Sequence, residues 1–269
     1  MNIERPKHGY YNTSNWINPS AAEHQERYSF AARHISMINN LANLNCVGDM
    51  SCGYGESTHF LQKQLVLNGK KVISLVGVDI DESSINHAIR NKKSTQTFVC
   101  KDISTLDFPC DLGKLGFQNF DAITCLETVE HVSPAENATV SLKNLNFLLQ
   151  NKNGILIVSS PNRRYFANNR YKPYSPFHIQ ELNLTEFSEI LDRTGFKYDI
   201  YGQRIMPVNF IRMFDGLRTV ADKHIKYRRQ IGKVITVLSN LGNIDPRVKK
   251  WEDTVKVQPK YFVAVCRIR

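Results

Sequence analysis

The sequence predicts an α/β domain built on a largely parallel sheet with helices on both faces, and three observations carry that prediction. Apolar runs of strand length, "NCVGDM", "KVISLVGVD", "TFVC", "FDAITCL" and "GILIVSS", recur through the first 160 residues. Segments with helical periodicity stand between them. The runs are near-continuous rather than alternating, as strands covered on both faces require.

Taken in order, "SAAEHQERYSFAARHISMI" forms a first helix and "NCVGDMSCGYGES" a short strand that ends in a glycine-rich turn. "STHFLQKQLVL" is the next helix and "KVISLVGVD" the next strand. "DESSINHAIRN" enters a helix through acidic and serine residues, which suit a helix start, and "TQTFVCKD" follows as a strand. "STLDFPCDLGKLGFQN" reads as a loop, "FDAITCL" as a strand, "SPAENATVSLKNLNFLLQ" as a helix and "GILIVSS" as a strand. Beyond Ser160, "PNRRYFANNRYKPYSPFHIQE" is polar, aromatic and punctuated by proline, a long loop of the kind that carries function. "LTEFSEILDRTGF" resumes as a helix capped by Thr185, "KYDIYGQ" is a strand, 208–241 is helical and basic, and "KYFVAVCRI" is the final strand. Nothing forces two domains: the reading is a single domain over 1–269, with an N-terminal helical lid region over 1–40 and a basic helical insertion over 205–257.

Composition bounds the function. The six cysteines are scattered without C-x-x-C spacing, which argues against a disulfide scaffold or a zinc site. No apolar run approaches the roughly 18 residues of a membrane span, and a cytoplasmic protein is expected. Residues 203–269 hold 15 Lys/Arg against 5 Asp/Glu, which accounts for the whole surplus of a chain with 35 against 25. That cluster is either a face for an anionic partner or a solvated helical face.

The strand ends carry the chemistry. Gly53 and Gly55 follow an apolar strand and precede a helix, so the backbone there can pass close to a ligand. Asp79 ends the next strand, where a carboxylate can accept both hydroxyls of a ribose. Asp102 ends the third, placed to reach an adenine amino group with Ile103 alongside. Three such ends in succession point to a nucleoside pocket. A dinucleotide would want G-x-G-x-x-G and a helix start facing a diphosphate, but Glu56, Ser57 and Thr58 follow Gly55 and the acid opposes phosphate. S-adenosylmethionine carries no phosphate and two cationic groups, which the acids Asp49 and Glu56 tolerate.

"VGDMSCGYGES", "LVGVDID", "FDAITCLETVEHV" and "GILIVSSPNR" resemble the successive motifs of class I S-adenosylmethionine-dependent methyltransferases, over about residues 20–204. "EHQERYSFA" upstream and "PFHIQELNLTEF" downstream are similar to the small-substrate and glycan-associated members. The resemblance implies a Rossmann-like, seven-stranded, mostly parallel sheet with the last strand inserted antiparallel. It implies cofactor contacts at Asp49, Ser51, Gly53, Asp79, Ile80, Asp102, Ile103 and Leu126, with Arg27 on the cofactor carboxylate. Ser51 stands where the family pattern has its first glycine and supplies the same backbone contact if its torsions are ordinary.

In the layout that the resemblance implies, the string "LETVEHV" after the fourth strand brings Glu127, Glu130 and His131 beside the acceptor pocket. Their spacing puts them on nearly one side of a helical turn. With His178 from "SPFHIQ" they resemble the E-x-x-E-H plus distal His arrangement of ubiquinone-biosynthesis O-methyltransferases and small-RNA 3′-terminal 2′-O-methyltransferases, which implies a catalytic metal, Mg²⁺ or another divalent ion, on Glu127, Glu130, His131 and His178. Other readings stand beside it: Glu127 lining the cofactor pocket, Glu130 binding backbone, His131 as a general base without metal, and His178 as a packing residue. Arg163, Arg164, Arg170 and Lys172 either recognise a substrate phosphate or solvate the loop.

The leading expectation is O-methylation of a small-molecule or glycan substrate, phosphate-bearing, with the basic insertion meeting the phosphate. RNA 2′-O-methylation is the rival, although no recognised RNA-binding module is visible, and a cofactor-binding scaffold without turnover is the third. The 208–241 segment serves equally as a homodimer surface.

Overall fold

The strand ends that carry the candidate residues are brought side by side by the order of the sheet. In the computed structural model, which describes residues 19–38, 43–132, 135–149, 153–166, 177–207, 247–251 and 257–268, strands β1 (Asn43–Met50), β2 (Lys71–Asp79), β3 (Gln96–Cys100), β4 (Ala122–Cys125) and β5 (Ile155–Pro161) are mutually parallel. β6 (Phe196–Pro207), β7 (Val248–Lys250) and β8 (Val257–Ile268) complete the sheet in the order β3-β2-β1-β4-β5-β8-β6-β7. β8 is inserted antiparallel between β5 and β6. Strand order reverses between β1 and β4, and the crevice beyond their carboxyl ends is where open α/β sheets take ligands.

The helices are α1 (Pro19–Ser36), α2 (Glu56–Leu67), α3 (Glu82–Arg90), α4 (Phe108–Lys114), α5 (Ala135–Leu148), α6 (Arg163–Phe166) and α7 (Leu184–Arg193). Successive strand residues feed opposite cores, as the two-residue period demands. Leu156 and Val158 of β5 pack with Leu112, Leu142 and Phe187 from α4, α5 and α7. Ile155 and Ile157 pack with Ala31, Ile35, Leu61 and Leu65 from α1 and α2 on the other face.

Three expectations are corrected. Among the described residues eight strands form the sheet, not seven: the three-residue β7 pairs with Tyr201–Gln203 on the outer edge of β6, covering backbone groups that an edge strand leaves unpaired. The segment read as a loop after Asp102 contains α4, because Pro109 suits a first helical turn and Phe108 and Leu112, one turn apart, are both buried. The cap of α7 is Asn183 rather than Thr185: its side chain accepts from the Glu186 N–H at 3.0 Å, and Glu186 returns a bond to the Asn183 N–H at 2.9 Å, a reciprocal capping box.

The basic segment 208–241 lies outside the described residues, as do the first 18 residues of the lid region. α1, the described part of that region, is fastened to the sheet. Glu23 on it pairs with Arg204 of β6 and with Lys260 of β8, the latter at 2.8 and 3.0 Å. Among the described residues no helix is long and apolar enough to cross a membrane, and all six cysteines are free.

Candidate functional site

The turn after β1 is held by three hydrogen bonds to the end of β2. The N–H groups of Ser51 and Cys52 donate to the Val78 carbonyl at 2.7 and 2.9 Å, and the Gly53 N–H donates to Asp79 Oδ2 at 2.8 Å. Gly55 must be glycine, since φ is +80° and a Cβ would stand 2.8 Å from the Phe98 ring. Gly53 also has a positive φ, +52°, yet nothing lies within 4 Å of where its Cβ would be. The space above it is open, as a ligand passing over the turn requires. Ser51 has φ +71°, so its torsions are not ordinary. Left-handed backbone at a residue with a Cβ costs about 1–2 kcal/mol, and the two bonds to Val78 fix it there.

Asp49 lies beneath this turn, fully buried. Tyr28 and Thr124 donate to its Oδ1 at 2.8 and 2.9 Å, and Ser57 and Thr58 to its Oδ2 at 3.1 and 2.6 Å. Burial raises its carboxyl above the usual range while the four hydroxyl donors pull it back. Tyr28, Ser57 and Thr124 lie within the strings "EHQERYSFA", "VGDMSCGYGES" and "FDAITCLETVEHV", but nothing in those strings shows that they and Thr58 meet at Asp49. At the end of β2, Asp79 Oδ1 accepts the Asp81 N–H at 2.9 Å; beyond β3, Asp102 accepts the Ser104 N–H and hydroxyl at 2.8 and 2.7 Å. Ile80 is half exposed beside Asp79, whereas Ile103 and Leu126 are buried in the two cores.

At the mouth of β4 the residues divide. Glu127 has φ +54° and precedes a short 3₁₀ turn, Val129–His131, so it does not share a helical face with Glu130 and His131 as the spacing implied. Its N–H donates to Ser159 Oγ at 3.0 Å, and its carboxylate stands 3.5 Å from the Arg27 guanidinium. Arg27, buried on α1, also donates to Gln203 Oε1 at 2.5 Å and lies 4.2 Å over the Tyr261 ring. Ser159 lies within the string "GILIVSSPNR" but was not singled out as a site residue, and Gln203 lies in a predicted strand without a motif.

Glu130, His131 and His178 do converge: ligand atoms of all three lie within 4.8 Å of one another, without Glu127. The two imidazoles meet edge to face with centroids 5.1 Å apart. Glu130 is 0% exposed and neither carboxylate oxygen has a hydrogen-bond partner among the described residues. Its backbone carbonyl, by contrast, accepts the N–H groups of Ile179 and Gln180 at 2.9 and 3.2 Å. Burial pushes the Glu130 carboxyl well above the usual range and the Glu127 charge adds to that, while its own nearby backbone N–H and the Arg27 charge oppose it.

Because a carbonyl only accepts, the 3.2 Å contact between His131 Nδ1 and the Phe177 carbonyl calls for a proton on Nδ1, which in the neutral ring leaves the lone pair on Nε2. His178 Nδ1 faces Glu181 Oε1 at 2.8 Å. A buried carboxylate without donors beside two imidazoles is a set of oxygen and nitrogen ligands that a divalent cation fits. Arg163 is committed elsewhere: it pairs with Glu186 at 2.6 Å and donates to the Glu181 carbonyl at 3.3 Å. Arg170 and Lys172 lie outside the described residues.

A doubly covered, mostly parallel sheet with a glycine turn over an acidic strand end defines a nucleoside-binding α/β enzyme fold. The chain belongs to the methyltransferase-domain family, whose model matches residues 22–199. A probable S-adenosylmethionine-dependent methyltransferase of Mycolicibacterium smegmatis is 26% identical over 185 residues, covering 67% of this chain and 63% of that protein. The chain thus spans less than two thirds of that relative's length. A crystal structure of an S-adenosylmethionine-dependent methyltransferase from Clostridium acetobutylicum superposes with a TM-score of 0.57 at 12% identity, covering 91% of this chain and 92% of that one. The plantazolicin methyltransferase BamL, solved with a desmethyl substrate analogue and S-adenosylhomocysteine, does so with 0.56 at 13% identity over 95% and 87%. At these identities the likeness is of fold.

Proposed function

We propose that the chain is an S-adenosylmethionine-dependent O-methyltransferase acting on a hydroxyl of a small or glycan-type acceptor, with a divalent cation held by Glu130, His131 and His178. The observation that carries this reading is the buried Glu130 carboxylate, without hydrogen-bond donors among the described residues, set against two imidazoles. A carboxylate so placed calls for a cation.

The cofactor would lie over Gly53, where no Cβ intrudes, with Asp79 on the ribose and Asp102 toward the adenine. When bound it supplies an electrophilic methyl group. Arg27 fits the cofactor carboxylate, since its guanidinium already faces a carboxylate, that of Glu127. The ion, when bound, would orient the acceptor hydroxyl and lower its pKa. Glu127, the other carboxylate at the mouth of β4, is the group available to take up the hydroxyl proton. The cationic surplus of residues 203–269 supports an acceptor that bears phosphate.

Calorimetric titration of Mn²⁺ and of S-adenosylhomocysteine into the wild type and into His131→Ala tests the reading. Both ligands are expected to bind the wild type, and the variant is expected to keep the nucleoside and lose the ion. A wild type that binds S-adenosylhomocysteine but no divalent ion would remove the metal from the proposal.

A further inference from the structure

We propose that Glu181 is a positioning residue of this site: its carboxylate holds the His178 imidazole in the Nδ1–H tautomer and fixes its orientation, leaving Nε2 as the ligand atom. The inference rests on the reading of Glu130, His131 and His178 as the reactive cluster.

The contact is short, 2.8 Å between His178 Nδ1 and Glu181 Oε1, and it is removed from water, with the Glu181 side chain 0% exposed and that of His178 12% exposed. In a neutral imidazole one nitrogen donates and the other accepts; a carboxylate oxygen at Nδ1 therefore selects the Nδ1–H form. Ligating histidines characteristically donate their second nitrogen to a carboxylate or carbonyl in this way, which fixes ring orientation. His131 does so to the Phe177 carbonyl, and the acceptor for His178 is a buried carboxylate.

Glu181 is itself held by the fold. Its backbone carbonyl accepts from Arg163 Nη1 at 3.3 Å, and Arg163 is anchored on Glu186 in the first turn of α7. Just before it, the Ile179 and Gln180 N–H groups bond the Glu130 carbonyl, and the Gln180 side chain donates to the Val129 and Val132 carbonyls at 3.0 and 3.1 Å. The 177–181 segment is thus docked on the turn that carries Glu130 and His131. A buried carboxylate is costly to place, and here its placement reaches a ring nitrogen of a residue in the cluster.

The test reads the tautomer directly. Imidazole ¹⁵N–¹H correlation spectra of the full chain in a chelator are expected to show His178 protonated at Nδ1 and bare at Nε2. Glu181→Ala is expected to shift His178 toward the Nε2–H form and to lower Mn²⁺ affinity about 10–100-fold, leaving S-adenosylhomocysteine affinity unchanged. Glu181→Gln, which keeps a carbonyl acceptor for Nδ1–H, is expected to retain the tautomer and most of the affinity.

A wild-type His178 protonated at Nε2 overturns the proposal, and so does an alanine variant with wild-type tautomer and metal affinity. If the tautomer responds as expected but the wild type binds no Mn²⁺, Glu181 stands as the positioning residue of a His178 base and only the metal reading falls. Should Glu181→Ala not fold, the wild-type spectrum and the glutamine variant decide.

Discussion

At the mouths of β1, β2 and β3 the acids are bonded to the chain itself, whereas at the mouth of β4 one is not. Asp49 receives four hydroxyl donors, Asp79 two backbone N–H groups, and Asp102 an N–H and a hydroxyl. Glu130, in the turn beyond β4, is as buried as Asp49, and its carboxylate oxygens have no hydrogen-bond partner among the described residues. The half of the crevice proposed for the cofactor is therefore shaped before any ligand arrives, and the half proposed for the acceptor holds a buried carboxylate that no side chain among the described residues meets. Backbone strain falls in both: Ser51 and Glu127, each with positive φ, flank the crevice from the ends of the adjacent strands β1 and β4. Strained residues of this kind gather where geometry is held for a ligand.

The largest effect expected of breaking this contrast is on turnover. His131→Ala should lower kcat by about 10²–10⁴-fold while leaving S-adenosylhomocysteine affinity at the wild-type value, since the residue lies on the acceptor side only. Equal turnover in steady-state kinetics would remove His131 from the chemistry. On the other side, Asp79→Ala should weaken S-adenosylhomocysteine by about 100-fold in calorimetry, the worth of two charge-assisted bonds to a ribose. An unaltered Kd would mean that the nucleoside lies elsewhere.

Asp49→Ala should cost about 2–3 kcal/mol in urea unfolding, because four buried hydroxyls lose their acceptor at once. The acceptor half should respond in the opposite sense. Glu130→Gln is expected to stabilise the metal-free protein by about 1 kcal/mol at pH 8, since burying an ionisable group without a partner is unfavourable. The raised carboxyl holds its proton in the folded chain while the unfolded chain releases it, so wild-type stability falls as pH rises above the unfolded value. The advantage of the amide should accordingly shrink toward pH 5, and a gain independent of pH would contradict it. Smallest of all, Ser51→Gly should add about 0.5 kcal/mol or less by relieving the left-handed strain, read as a small rise in the urea midpoint.

The strand-end acids and the glycine turn proposed for the cofactor were legible as a pattern because that pattern is local. An acid that ends an apolar strand, or a glycine pair between strand and helix, is a pattern within a dozen residues, and the parallel sheet then lines such ends up. α4 and the α7 cap were misread although Pro109 with Phe108 and Leu112, and Asn183 with Glu186, signal them, because a proline-containing stretch reads as a loop until the burial of its apolar pair is known, and a cap is settled only by its hydrogen bonds. The spacing of Glu127, Glu130 and His131 misled for a definite reason. Three and four residues define one face only if the backbone is helical throughout, and Glu127 sits in a left-handed conformation outside the turn.

What the sequence by itself determined is the α/β class, the order of strands that end in acids, and the presence of carboxylates and imidazoles near the acceptor side, because period, apolar runs and turn residues are written along the chain. Which acid meets which partner was decided only by tertiary structure. Asp49 collects Tyr28, Ser57, Thr58 and Thr124 from three elements, Glu127 turns to Arg27 and Ser159, and Glu130 reaches His178 across 48 residues of chain. Hydrogen bonds and ion pairs act over about 3–4 Å, so their partners are set by packing of elements distant in sequence and not by spacing along it.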